Sequence, residues 1–178
     1  MPSPYLVEVG EILHDLGASV QVVDRLPLGD LDTPDTRFRL VEPPLVDALL
    51  TNAGDGVVLS GSVTAHVETE CSRCLEPFVL TVSATLEGFY TTPDKAAELP
   101  EDQEWEPLHL DAVDIAPAVE SALRLELPFA PLHAEDCAGI CPVCGCNLNE
   151  QSCDCASAQA PAGPFDALKD LFPDEGEG

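Results

Sequence analysis

Positive charge is nearly missing from this sequence. Lys and Arg number 7 against 33 Asp and Glu in 178 residues, a formal net charge of −26. Such a chain repels nucleic-acid phosphates at long range, which argues against direct RNA or DNA binding through the backbone. A basic protein partner, or simple solubility, suits the balance better. The deficit deepens toward the C-terminus: from Glu101 onward 17 acidic residues face only Arg124 and Lys169. Aromatic residues are scarce, at 5%, so the core is expected to consist mostly of Val, Leu and Ala. No run of roughly 18 apolar residues occurs, so no transmembrane helix is expected. The opening MPSPYLVEVG lacks the basic and apolar segments of a secretory leader, so the expected location is the reducing cytoplasm. Serine-nucleophile motifs, phosphate-binding glycine loops and HExxH helices are all missing. No catalytic residue and no organic-cofactor site is therefore assigned, and the protein is not expected to be an enzyme.

Hydrophobic residues make up 45% of the chain, enough for an ordinary core, and there are eight cysteines. In a reducing compartment disulfides are disfavoured, so metal binding is the leading explanation for so many thiols.

The clearest periodicity lies mid-chain. After the turn Asn52–Gly56, residues 57–70 alternate, with Val63, Ala65, Val67 and Thr69 on one face. The alternation resumes with Phe78, Leu80, Val82, Ala84 and Leu86. Two period-2 runs separated by seven residues predict a β-hairpin whose tip is Cys71-Ser-Arg-Cys-Leu-Glu-Pro77. Upstream, Tyr5–Val9 reads as a short strand, residues 12–23 as either strand or helix, 26–36 as loop, and 37–50 as extended with a break at Pro43-Pro44. Downstream, 91–104 reads as an acidic loop and 105–110 as a strand. Ile115, Val119, Ala122, Leu123 and Leu127 recur at helical spacing. Asp111 or Asp114 can cap that helix, Pro117 suits its first turn and Pro128 stops it.

Cys141-Pro-Val-Cys144-Gly145 has the form of a zinc knuckle. Two thiolates three positions apart on a tight turn reach one metal, and Gly145 accepts the positive φ after the second ligand. Cys153 and Cys155, a few residues on, complete a tetrahedral set. Cys71 and Cys74 lack sequence neighbours of this kind. Cys137, with His133 four residues before it, offers a Cys₃His set with them, although other arrangements among the eight cysteines stay open. Cys146 is then a spare that can exchange with Cys137 or Cys144. The expected metal is Zn²⁺, one ion or two, because ferredoxin-like spacings are missing. Closed four-ligand sites stabilise folding and leave no position for activating water. His14, His66 and His109 carry no ligand motif and read as surface or satisfied residues. Arg73, between two candidate ligands, reads as screening thiolate charge ahead of touching a partner. The apolar residues Phe165, Leu168, Leu171 and Phe172 read as a short amphipathic tail helix that docks on the domain or on a partner.

Several elements in order resemble the YceD family, the large-subunit ribosomal RNA accumulation proteins of bacteria and plastids. They are ECSRCLEPF (70–78), the acidic loop, ALRLELPFAPLH (122–133), CAGICPVCGCNLN (137–149), CDC (153–155) and PFDALKDLF (164–172). The first 40 residues carry little of the likeness. The resemblance implies a role in accumulation or processing of large-subunit (23S) ribosomal RNA, with no enzymatic activity. It matches Cys71 and Cys74 to the family's first cysteine pair and Cys137 to a cysteine after the helix. Cys141, Cys144, Cys153 and Cys155 match a second cluster that only some branches possess, while Cys146 matches no family cysteine.

The expected fold is α+β: a mainly antiparallel β-sheet or partial barrel with one main helix and a small C-terminal zinc-knuckle module. The expected divisions are a β-rich domain over 1–136, a cysteine module over 137–155, and a linker with the tail helix over 156–178. The expected function is a zinc-binding ribosome-assembly factor that contacts a ribosomal protein or another assembly component. The competing expectation is a zinc- or thiol-based redox sensor, or a protein-interaction adaptor.

Overall fold

The central hairpin forms as its alternation requires. In the computed structural model, which describes residues 5–157, strands β5 (Val57–Glu70) and β6 (Pro77–Thr91) pair antiparallel from Val57↔Tyr90 to Glu70↔Pro77. Val63, Ala65, Val67, Val82, Ala84 and Leu86 are buried on one face. Period-2 patterning fixes the register here, because a slip of one residue would turn every one of these side chains to solvent. Strand β6 runs on to Thr91, past the last clearly alternating residue, because Tyr90 and Thr91 are buried and paired.

Strand β4 (Leu45–Asn52) extends the sheet on the other side of β5, and β2 (Ser19–Arg25) pairs with β4. The segment 12–23, ambiguous between helix and strand, divides into a turn and this strand. Gly17, at φ 82°, ends the turn. Buried Asn52 holds it in place, its Nδ2 donating to the carbonyls of Ile12 (2.9 Å) and Asp15 (3.0 Å). The two-residue β3 (Arg39–Leu40) pairs with the far end of β5, separated from β4 by the predicted break at Pro43-Pro44.

Two features of the sheet refine the expectation of a mainly antiparallel sheet or partial barrel. Its order is β2-β4-β5-β6-β7 with β3 beside β5, so among the described residues it is open and not a closed barrel. It is also mixed: β7 (Glu106–Pro107), shorter than the strand read over 105–110, lies parallel to β6. The long return through 92–105 makes that parallel pairing possible, and it contains a four-residue helix, α1 (Pro93–Ala96), that alternation does not reveal.

A second, two-stranded sheet joins β1 (Leu6–Glu8) to β8 (Ala112–Asp114). Helix α2 (Ala116–Glu126) follows; Val119 and Leu123 are buried as the spacing predicts, Ala122 is half-buried, and Ala116, outside that pattern, is buried as well. Neither candidate aspartate is the cap residue, a place taken by Ile115; Asp114, one position earlier, accepts at Oδ1 from the N–H groups of Ala116 (3.1 Å) and Tyr5 (2.9 Å), tying the start of β1 to the start of α2. The stretch 26–38 is a loop, yet Leu26, Leu31 and Phe38 are fully buried in the core. Asp32 Oδ1 accepts from the Phe38 N–H (3.0 Å) and the Leu31 N–H bonds the Phe38 carbonyl (2.9 Å), so the loop satisfies its own backbone.

The described residues divide into two compact units. One comprises 5–72 and 76–133 and contains everything above; the other comprises 73–75 and 134–157. The second unit is a small, turn-rich body with an isolated bridge at Ile140↔Asn147 and a single turn of 3₁₀ helix, Asp154–Ser157. The predicted linker and tail helix lie outside the described residues, apart from 156–157.

Candidate metal centres

Each cysteine pair sits on a turn built to present sulfur. In the first unit, Cys71 follows the last residue of β5, and its N–H donates to the Glu76 carbonyl (2.9 Å). The Ser72 N–H donates to the Pro131 carbonyl (2.8 Å), and the rings of Phe78 and His133 meet edge-on with centroids 6.4 Å apart. Two chain segments sixty residues apart are thereby held together, which brings His133 to the end of the hairpin where Cys71 is buried.

In the second unit, Arg73 Nη1 donates to the carbonyls of Glu135 (3.2 Å) and Cys137 (3.1 Å), and the Ile140 N–H returns a bond to the Arg73 carbonyl (3.1 Å). Arg73 thus fastens the knuckle to the 134–140 turn through backbone oxygens, a role that differs from thiolate screening. Gly139, at φ 78°, passes so close to this knuckle that a Cβ there would lie 3.2 Å from the Arg73 carbonyl oxygen. Asn149 completes the arrangement. Its Nδ2 donates to Cys137 Sγ (3.4 Å) and its Oδ1 accepts from the Ala138 N–H (2.8 Å).

The second knuckle is the tight turn its motif predicts. The Gly145 N–H donates to the Cys141 carbonyl (2.9 Å), the Cys141 N–H to the Cys146 carbonyl (2.9 Å), and the Val143 N–H reaches Cys141 Sγ (3.5 Å). Gly145 takes φ 74°. Backbone N–H groups aimed at sulfur stabilise thiolates. Those of Cys144 and Val143 lower the Cys141 thiol, and that of Cys146, with the neighbouring thiols, brings Cys144 down to about 6. The neighbouring thiols keep their protons: hydrogen bonding to Cys144 pushes Cys146 and Cys155 up to about 12.

Two clusters result. The ligand atoms of Cys141, Cys144, Cys153 and Cys155 lie within 4.8 Å of one another, and so do those of Cys71, Cys74, His133 and Cys137. Zinc–sulfur bonds of about 2.3 Å in a tetrahedron require sulfurs roughly 3.8 Å apart. A set of four thiols, or three thiols and an imidazole, within the observed span therefore fits a metal ion with little adjustment, and either cluster can hold one. Cys146 stands outside both clusters, its sulfur 3.4 Å from Cys144 Sγ. The eight residues singled out in the sequence are the eight that these clusters contain. The support that Asn149 gives Cys137 has no sequence signal beyond its place in the CNLN run. His66 is paired with exposed Glu42 (3.4 Å) and belongs to neither cluster.

A family model described as "Large ribosomal RNA subunit accumulation protein YceD" matches residues 59–172, well over half of the chain. The chain belongs to the YceD family. An uncharacterized protein of Mycobacterium tuberculosis is 35% identical over 104 residues, covering 58% of this chain and 50% of the relative. The chloroplastic large ribosomal RNA subunit accumulation protein YCED homolog 1 of Zea mays is 26% identical, covering 87% of this chain and 70% of its own length. The YceD protein of Haemophilus influenzae is 36% identical over 88 residues, 45% of this chain and 47% of the relative. The chain thus spans about half the length of most of the curated relatives it matches. No solved structure matches it. Among the described residues no helix is long and apolar enough to cross a membrane.

Proposed function

We propose that this protein is a zinc-binding, non-catalytic factor of ribosome assembly that supports accumulation of large-subunit (23S) ribosomal RNA. The observation that carries this reading is family membership over residues 59–172. The YceD family is named for large ribosomal RNA subunit accumulation, which supports a ribosome-assembly role for this chain. The finer parts rest on chemistry. Four-ligand sets rich in thiolate favour zinc and close its coordination shell, which suits a structural ion. One ion in each cluster would brace the turns that present the knuckles. A net charge of −26 disfavours gripping RNA by its phosphates. The partner in this reading is a basic protein of the assembling particle, ribosomal or accessory, in the cytoplasm. Depletion is expected to raise unprocessed 23S precursor and to reduce free large subunits in gradient profiles. Normal profiles and normal precursor levels in depleted cells would exclude the reading.

One observation favours a second reading, a thiol-based redox sensor. The Cys144 thiolate, with a pKa near 6, sits 3.4 Å from the sulfur of the spare Cys146. Zinc release and thiol loss under mild peroxide would support it; retained zinc and unreactive thiols would eliminate it.

A further inference from the structure

The two knuckles share a backbone plan but not the residue that follows the second cysteine. In each, the first cysteine donates its N–H to the carbonyl five residues on, Cys71 to Glu76 and Cys141 to Cys146, both at 2.9 Å. In each, the residue after the second cysteine is left-handed: Gly145 at φ 74° and Leu75 at φ 64°. Glycine adopts that conformation freely, whereas an L side chain there crowds the backbone. Leu110 (φ 54°) is the only other non-glycine residue with positive φ among those described, and it sits in a simple two-residue turn. At the first knuckle, then, a leucine stands where the equivalent turn of the same molecule uses glycine.

Packing does not account for it. Leu75 is 57% exposed, and with Val143 and Ile140 it is one of the large apolar side chains that the described part of the second unit leaves open to water. Both features oppose leucine: the backbone is strained and apolar surface is wet. Strain retained at an exposed position points to a use for the side chain outside the folded chain. The surroundings indicate the kind of partner. The second unit carries Glu135, Asp136, Glu150 and Asp154 against Arg73, whose guanidinium is already committed to two carbonyls. An anionic body with a projecting aliphatic knob complements a cationic surface with a small apolar pocket.

We propose that Leu75 is a partner-contact residue, the anchor by which the first knuckle docks on a basic protein of the assembling large subunit. The identity of the particle rests on the ribosome-assembly reading above; the assignment of Leu75 as the contact rests on its backbone and exposure. The test is co-sedimentation of the intact, zinc-loaded protein with purified large-subunit precursor particles, comparing wild type with Leu75→Gly. The glycine variant is expected to keep its zinc and its melting temperature to within a few degrees, and to bind particles at least about tenfold more weakly. Wild type is expected to bind proteins salt-extracted from the particles and not the protein-free RNA. Undiminished particle binding by Leu75→Gly would overturn the proposal. A variant that loses zinc or melts far lower would make Leu75 a packing residue and overturn it too, as would tight binding of wild type to protein-free RNA through Leu75. Wild type that ignores the particles altogether would instead remove the ribosome-assembly reading, and the docking partner with it.

Discussion

Asn149 Nδ2 donates to Cys137 Sγ at 3.4 Å while its Oδ1 takes the Ala138 N–H at 2.8 Å. One side chain thus orients a candidate ligand and the backbone beside it. Groups that hydrogen-bond metal ligands commonly change affinity by about 10–100-fold when removed. Asn149→Asp replaces the donor with a carboxylate facing a thiolate. It is expected to weaken zinc binding at the Cys71 cluster by that order and to leave the Cys141 cluster unaffected. Chelator competition, followed ion by ion, measures both.

Zinc stoichiometry tests the pairing of the cysteines. Reduced protein is expected to hold two zinc ions per chain. Cys71→Ser should lose one, Cys144→Ser should lose the other, and Cys146→Ser should keep both, since Cys146 belongs to neither cluster. A single ion in wild type, or loss of both on either ligand substitution, would refute independent sites. Because the thiols must deprotonate to bind, zinc uptake is also expected to release protons and to weaken as pH falls.

Gly61 lies opposite Ala48 in the β4–β5 ladder. A Cβ there would come within 2.3 Å of the Asp47 carbonyl oxygen and 2.6 Å of Ala48 Cα. Both obstacles are backbone, so the strands themselves must move. Gly61→Ala is expected to cost about 2 kcal/mol or more, read as a lower denaturant midpoint. An unchanged midpoint would show that the ladder tolerates the displacement.

Tyr5 and Asp24 titrate in opposite directions. The Tyr5 hydroxyl, then the Arg25 N–H, hold the exposed Asp24 carboxyl below its ordinary 3.8, and the same hydrogen bond raises Tyr5 above 10.0. Asp24 therefore contributes stability above pH 3.8, lost as pH falls through its lowered pKa. Tyr5 contributes below pH 10.0, lost as pH rises through its raised pKa. The stability difference between wild type and Tyr5→Phe is expected to be small, flat between these limits, and to vanish at both ends. Urea titrations across the pH range would expose any other profile.

The legible parts of this molecule are those whose signal is local. Alternation over 57–70 and 78–86 dictates the hairpin and its buried face, since side chains on successive strand residues point to opposite sides. Helical spacing from Ile115 to Leu123 likewise dictates which face of α2 is buried. The knuckle at 141–145 is readable because a CxxCG turn needs nothing beyond its own five residues. The burial of Leu26, Leu31 and Phe38 is not readable, because their segment has the Pro, Gly and Asp content of an exposed loop. Its hydrophobic residues find the core only once the sheet exists.

By itself the sequence determined an acidic chain, a β-rich body with one main helix, and two cysteine pairs on turns, because charge, alternation and short-range spacing act between near neighbours. Tertiary structure alone decided the parallel closing of β7 on β6, the open edge of the sheet, and the task of Arg73 as a backbone fastener. It also decided the approach of His133 to the hairpin end, the support of Cys137 by Asn149, and the exposure of a strained Leu75. Each of these depends on which distant segments meet. That is settled by the packing of the whole core and by the satisfaction of buried backbone groups, neither of which has a period to be read.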